Sequence, residues 1–122
     1  MAKIMVIDDE QHVCDLLRQV LEGENFTVIT TTDPVAGIDI VKNERPDCVL
    51  LDVKMPGASG IEVLAQIKAF DARIDVIMIT AYGELNDAMD CVRLGAYEYI
   101  AKPFEIDFIK DLVKRCVESK KT

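Results

Sequence analysis

The sequence predicts an α/β fold of the (βα)5 kind, a parallel sheet with helices packed on both faces. Two observations carry that prediction. Short β-rich runs alternate with helical patterns five times along the chain, and three of the runs are almost continuously apolar. Strands buried on both faces require such runs, and regular alternation implies right-handed crossovers between parallel neighbours.

The elements follow in order. Lys3–Ile7 (KIMVI) is the first strand, leading directly into Asp8-Asp9-Glu10. Val13, Leu16, Leu17, Val20 and Leu21 then keep the i, i+3, i+4, i+7, i+8 spacing of one helix face, and Gly23 stands where that helix stops. Residues 26–30 (FTVIT) form the second strand. Asp33-Pro34 reads as an N-cap followed by proline at the first helical position, opening a second helix over about 34–44. Residues 47–51 (DCVLL) are the third strand, and the connection 53–58 is a shaped turn built on Met55-Pro56-Gly57. Ser59-Gly60-Ile61-Glu62 has capping-box spacing and begins a third helix over about 60–70. Residues 74–80 (IDVIMIT) form the fourth strand. A shorter stripe of Leu85, Ala88, Met89 and Val92 marks the fourth helix, ending near Gly95. Residues 97–101 (YEYIA) are the fifth strand, and Ile109, Leu112, Val113 and Cys116 repeat the helical stripe in the fifth helix.

Composition narrows the class of protein. The 122 residues make one domain, 1–122, large enough to hold a core. No apolar run approaches the ~18 residues needed to cross a bilayer. The N-terminus lacks the long apolar stretch of a signal peptide, so the expected location is cytoplasmic. Fourteen Lys and Arg stand against 22 Asp and Glu, a net charge of −8, which disfavours direct binding to nucleic-acid phosphates. Cys14, Cys48, Cys91 and Cys116 are too far apart for a CxxC pair, and His12 is the sole histidine, so neither a zinc nor a redox motif is expected. The thiols read as small packing residues in a reducing compartment.

In open parallel sheets, ligands bind beyond the carboxyl ends of the strands. The residues to weigh are therefore Asp8, Asp9 and Glu10 after the first strand, Asp52 after the third, Thr80 and Ala81 after the fourth, and Lys102-Pro103 after the fifth. The first loop has neither a GxGxxG turn nor a phosphate-cradling Gly-Lys-Ser/Thr loop. Its acids would repel a bare phosphate but suit Mg2+, which takes carboxylate, carbonyl and water oxygens. Asp8 and Asp9 are the expected ligands with Asp52 as a third, while Glu10 reads as an ordinary first-turn acid. Asp52 is also the candidate nucleophile, since a carboxylate can accept a phosphoryl group as an acyl phosphate. That attack joins two anions, and Lys102 would supply part of the compensating charge. The Thr80 hydroxyl is placed to donate to a phosphoryl oxygen, and Ala81 leaves room beside the acceptor.

Asp8-Asp9, the stretch Asp52-Val53-Lys54-Met55-Pro56-Gly57, Gly60, Thr80-Ala81 and Lys102-Pro103-Phe104 together resemble the receiver domain of bacterial two-component response regulators, the chemotaxis response regulators among them. The resemblance spans the chain from Lys3 to about Glu118. It implies a flavodoxin-like three-layer sandwich with strand order 2-1-3-4-5. It also implies Asp52 as phosphoacceptor and Mg2+ held by Asp8, Asp9, Asp52 and the backbone carbonyl of Lys54. Lys102 would contact the phosphoryl group, and the Lys102–Pro103 bond would be cis. Thr80 and Tyr99 would be the switch pair; Tyr97 lies two residues away on the same sheet face, and the resemblance selects Tyr99. Lys54 and Tyr82 would flank the acceptor and tune phosphate lifetime.

The implied protein is a signalling switch rather than an enzyme on other substrates. A histidine kinase would be its phosphodonor, and an output domain or effector its target, through the fourth helix, fifth strand and fifth helix. A phosphorylation-dependent homodimer is a further expectation; a membrane or nucleic-acid partner is not. Two other classes fit less well. A phosphatase of the haloacid dehalogenase type would carry its nucleophile after the first strand with a second acid two residues on. A flavin-binding flavodoxin would need Ser, Thr and Gly in that loop.

Overall fold

The computed structural model describes residues 2–55, 58–80 and 85–119. Its central sheet is built from β1 (Lys3–Ile7), β2 (Thr27–Thr31), β3 (Cys48–Asp52), β6 (Asp75–Thr80) and β7 (Glu98–Ala101), all parallel, in the spatial order β2-β1-β3-β6-β7. Between β3 and β6 lies an antiparallel pair of two-residue strands, β4 (Lys54–Met55) and β5 (Ala58–Ser59). Counting only the five sheet strands, the order is 2-1-3-4-5, as the resemblance implies. The connection read as a shaped turn is thus a miniature hairpin; Pro56 and Gly57 at its tip lie outside the described residues.

The helices are α1 (Gln11–Glu22), α2 (Pro34–Glu44), α3 (Gly60–Phe70), α4 (Leu85–Arg93) and α5 (Ile106–Ser119). Side chains alternate across each strand, so β1 sends Ile4 and Val6 into one apolar layer and Met5 and Ile7 into the other. The first layer packs against Leu17 and Leu21 of α1 and Ile109, Leu112 and Val113 of α5. The second packs against Val41 of α2, Val63, Leu64 and Ile67 of α3, and Cys91 of α4. Covering both faces keeps β3 buried throughout. None of the four cysteines forms a disulfide, and all four are buried. Among the described residues, no helix is long and apolar enough to cross a membrane.

Local chemistry explains most helix boundaries. The Asp33 carboxylate accepts a hydrogen bond from Val35 N at 2.9 Å, with Pro34 at the first helical position. Ser59 Oγ accepts from Ile61 N at 3.2 Å, so the cap bonds to the second helical amide rather than to that of Glu62. Gly23 ends α1 but keeps right-handed dihedrals; Asn25 takes the left-handed conformation, at φ 69°. Asn tolerates that region better than most side chains.

Two helix faces differ from their sequence reading. In α1 the buried residues are Val13, Cys14, Leu17 and Leu21, whereas Leu16 is 43% exposed. Cys14 occupies the core because it lies over the β1 end, rotating the stripe away from Leu16. In α4 Cys91 is buried, and Met89 and Val92 of the stripe that marks the helix are 49% and 69% exposed.

Candidate functional site at the carboxyl edge of the sheet

The β1–α1 loop turns at Asp8, which is 2% exposed. Its Oδ1 accepts from Glu10 N at 2.9 Å, and its backbone N–H donates to Thr31 O at 3.2 Å. The buried Cys14 thiol lies 3.4 Å from Asp8 O and donates to it. Burial, and then the field of Asp8, push that thiol up to about 11, so it stays a neutral donor. Side chain and main chain of Asp8 are thus both fixed. Asp9, by contrast, is exposed at the loop surface. Carboxylate oxygens of Asp8, Asp9 and Glu10 all lie within 4.8 Å of one another.

Asp52 is the last residue of β3, which runs one position past the strand end expected from the sequence, and is 5% exposed. Its Oδ1 accepts from Lys54 N at 3.2 Å, closing a tight turn over Val53. Val53 N in turn donates to Ile79 O at 2.9 Å, tying the turn to β6. Gly60 N donates to Val53 O at 2.7 Å. A Cβ on Gly60 would stand 2.1 Å from Asp52 O and 2.7 Å from Val53 Cα, so only glycine lets α3 begin against this backbone.

Lys102 follows β7, and its Nζ lies 3.0 Å from Asp8 Oδ2, 3.5 Å from Glu10 Oε1 and 3.6 Å from Asp52 Oδ2. Burial works against its charge, but the hydrogen bond to Asp8 and the fields of Asp8, Asp52 and Glu10 outweigh it and hold its pKa above the ordinary value. The Lys102–Pro103 peptide bond is cis. The Lys102 N–H donates to Thr80 O, which fixes the lysine to the end of β6. Thr80 is fully buried. Ala101 is the register partner of Thr80 and Tyr99 that of Met78, so Tyr99 and Thr80 share the face toward α3 and α4. Tyr99 packs partly buried on that face, whereas Tyr97 precedes the strand and is exposed.

The carboxylates outnumber the cation here. Burial first, then the field of Asp8, raise the Asp52 carboxyl to about 7, against the pull of Lys102. The Asp9 carboxyl, within hydrogen-bonding reach of it, adds to the rise. A cluster of hard oxygen donors with unbalanced negative charge matches the preference of Mg2+; Asp8, Asp9 and Glu10 present their carboxylates together, with Asp52 beside Asp8 and Asp9. The same edge brings the Asp52 carboxylate and the Lys102 ammonium together, with Thr80 at the adjoining end of β6.

Asp8, Asp52, Thr80 and Lys102, singled out from the sequence, therefore meet at one edge. Ala81 and Tyr82 lie outside the described residues. Glu10 differs from its sequence reading. It is the N-cap residue of α1 rather than a first-turn acid, and its side chain makes no capping bond. It joins the acid cluster and reaches Lys102 instead. Three consecutive acids were the available signal for this role, but they do not show which one turns toward the lysine.

Comparison with known proteins gives a consistent picture. The profile of the response regulator receiver domain matches residues 4–114. Sporulation initiation phosphotransferase F of Bacillus subtilis is 44% identical over 113 residues, covering 93% of this chain and 91% of that protein. Regulatory protein AtoC of Escherichia coli is 30% identical over 116 residues, but the chain spans only 25% of its length. Among solved structures, a response regulator receiver domain from Clostridium thermocellum superposes with a TM-score of 0.93 at 32% identity, covering 99% of this chain and 98% of that one.

Proposed function

The chain belongs to the response regulator receiver domain family, the switch modules of two-component signalling, and on that premise we propose that Asp52 is its phosphoacceptor. One observation carries the assignment: a buried carboxylate shares a single lysine with a second buried acid at the carboxyl edge of the sheet. Asp8, Asp9, Asp52 and the backbone carbonyl of Lys54 are the groups that would hold Mg2+. When bound, that ion neutralises phosphoryl oxygens and lowers the repulsion between donor and acceptor.

The steps follow from the chain's own groups. A histidine kinase presents a phosphohistidine. A lone pair on an Asp52 carboxylate oxygen attacks phosphorus, the P–N bond breaks, and the imidazole leaves with the bonding pair and takes a proton from solvent. Lys102, already 3.6 Å from Asp52, shifts its ammonium to a phosphoryl oxygen. Thr80 donates its hydroxyl to another, and the space it vacates admits the Tyr99 ring. This is a two-state element biased by one new charge. Water returns the domain to its starting state by attack at the same phosphorus, with Asp52 released as carboxylate. Receiver domains act on output domains or effectors, and here the changed surface is that of α4, β7 and α5. Met89, Val92, Tyr97 and Phe108 are exposed there and would meet an effector or a second receiver. Residues 1–122 act as one such domain, working in the cytoplasm.

Beryllofluoride, a phosphoryl mimic, tests the reading by NMR. With Mg2+ present it should shift the amides of Thr80, Tyr99 and Lys102 in the wild type and leave Asp52→Asn unchanged. Equal shifts in both proteins would remove Asp52 as the acceptor. Shifts confined to the loops at Asp8 and Asp52 would remove the switch.

A further inference from the structure

Glu10 is the acid that the phosphorylation chemistry leaves without a task. Its carboxylate spans two side chains, with Oε1 3.5 Å from the Lys102 ammonium and Oε2 3.2 Å from His12 Nε2. The Asp8 and Asp52 side chains facing the same lysine are 2% and 6% exposed, whereas that of Glu10 is 45% exposed. Glu10 therefore stands on the solvent side of the cluster, between bulk water and the ammonium an arriving phosphoryl group must capture. His12, on the first turn of α1, holds its other oxygen in place.

We propose that Glu10 is a specificity-determining residue that guards the acceptor against small, freely diffusing anionic phosphodonors. The inference rests on Asp52 being the phosphoacceptor. Two effects act together. Glu10 adds a negative charge at the entrance, and a charged cleft changes the encounter rate of a charged reactant by tenfold or more. Glu10 also shares Lys102, so the phosphoryl oxygens of a small donor must displace a carboxylate to reach the ammonium. A protein donor brings its own contacting surface and can engage Glu10 and His12 directly, which a small molecule cannot.

The test compares phosphorylation of wild type, Glu10→Gln and Glu10→Asp by intact mass. The donors are acetyl phosphate, a dianion at neutral pH, and phosphoramidate, a monoanion. With acetyl phosphate the P–O bond to acetate breaks, acetate leaves with the electron pair, and Asp52 forms the new O–P bond. With phosphoramidate the protonated nitrogen leaves as ammonia with the P–N pair. Mg2+ is held saturating for each protein, from its own calorimetric titration. Glu10→Gln should react about tenfold faster than wild type with acetyl phosphate and gain less with phosphoramidate. The gain should shrink in 0.5 M salt. Glu10→Asp, which keeps the charge, should stay closer to wild type than Glu10→Gln does. An equal or slower rate for Glu10→Gln, or a gain independent of donor charge and salt, overturns the proposal. A wild type that no donor phosphorylates overturns the acceptor reading itself, and this proposal with it.

Discussion

Asp52 is held in a conflicted position. The carboxylate is almost fully buried, beside Asp8, with a shared lysine and the Lys54 N–H to offset the charge in part. Its folded-state pKa, about 7, lies above the ordinary 3.8. The folded protein therefore retains a proton that the unfolded chain releases. The stability this contributes is full below about pH 4 and is lost as pH rises through about 7. In EDTA, urea midpoints of the wild type should fall between pH 5 and pH 7.5. Asp52→Asn should flatten that slope and gain about 1–3 kcal/mol at pH 7.5. A wild-type slope retained in Asp52→Asn would assign the pH dependence to another group. Saturating Mg2+ should recover much of the loss in wild type by binding only the folded state.

The residues that place this carboxylate were unevenly readable in the sequence. Asp52, Lys102 and Thr80 announce themselves by standing at strand ends. Glu10 does not, because three acids in a row give no sign of which one turns inward, outward or across to the lysine. Cys14 reads only as an apolar filler, and its hydrogen bond to the Asp8 carbonyl depends on helix rotation that the stripe of α1 misassigns.

Helices and strands differ in how firmly they fix the site. The start of α3 is the tightest point. Gly60 lies so close to the Asp52 backbone that a methyl group would meet main-chain atoms unable to yield. Gly60→Ala should cost about 2–4 kcal/mol and weaken Mg2+ binding with it. Gly37, within α2, is a contrasting case. A Cβ there would meet Ile7 Cδ1 at 2.8 Å, the far end of a flexible side chain. The helix-propensity gain of Ala, about 0.5–1 kcal/mol, offsets much of that clash. Gly37→Ala should therefore stay within about 1 kcal/mol of wild type. Denaturation midpoints of the two variants separate the cases, and equal losses would contradict the geometry.

Element boundaries were readable where a side chain bonds the backbone, as at Asp33 and Ser59. They were also readable where apolar runs are buried on both faces, as in β1 and β3. The hairpin of β4 and β5 was not, since two-residue strands leave no period to detect. The stripe of α4 marked the helix but not the exposure of Met89 and Val92, because periodicity reports that apolar residues share a face, not which way the face turns.

The domain as a whole separates its two jobs across the sheet. Acids and Lys102 gather at one edge, while exposed Met89, Val92, Tyr97 and Phe108 mark the α4–β7–α5 side. Tyr99 lies on the strand between them, where the proposed switch would link the two. Sedimentation with and without Mg2+ and beryllofluoride should show self-association only with the mimic, and Val92→Asp should abolish it. Association independent of the mimic would separate that face from the switch. Alternation and crossover handedness gave a parallel sheet with helices on both faces and the resemblance gave its strand order, whereas the face that meets a partner depends on exposure that sequence does not reveal.

The acceptor assignment underlies all of these expectations. Incubation with acetyl phosphate and Mg2+, followed by intact-mass measurement, tests it most directly. The wild type should gain the mass of one phosphoryl group, lost on hydrolysis at alkaline pH, and Asp52→Asn should gain none. An unmodified wild type, or a phosphoryl group that persists in Asp52→Asn, would contradict the assignment.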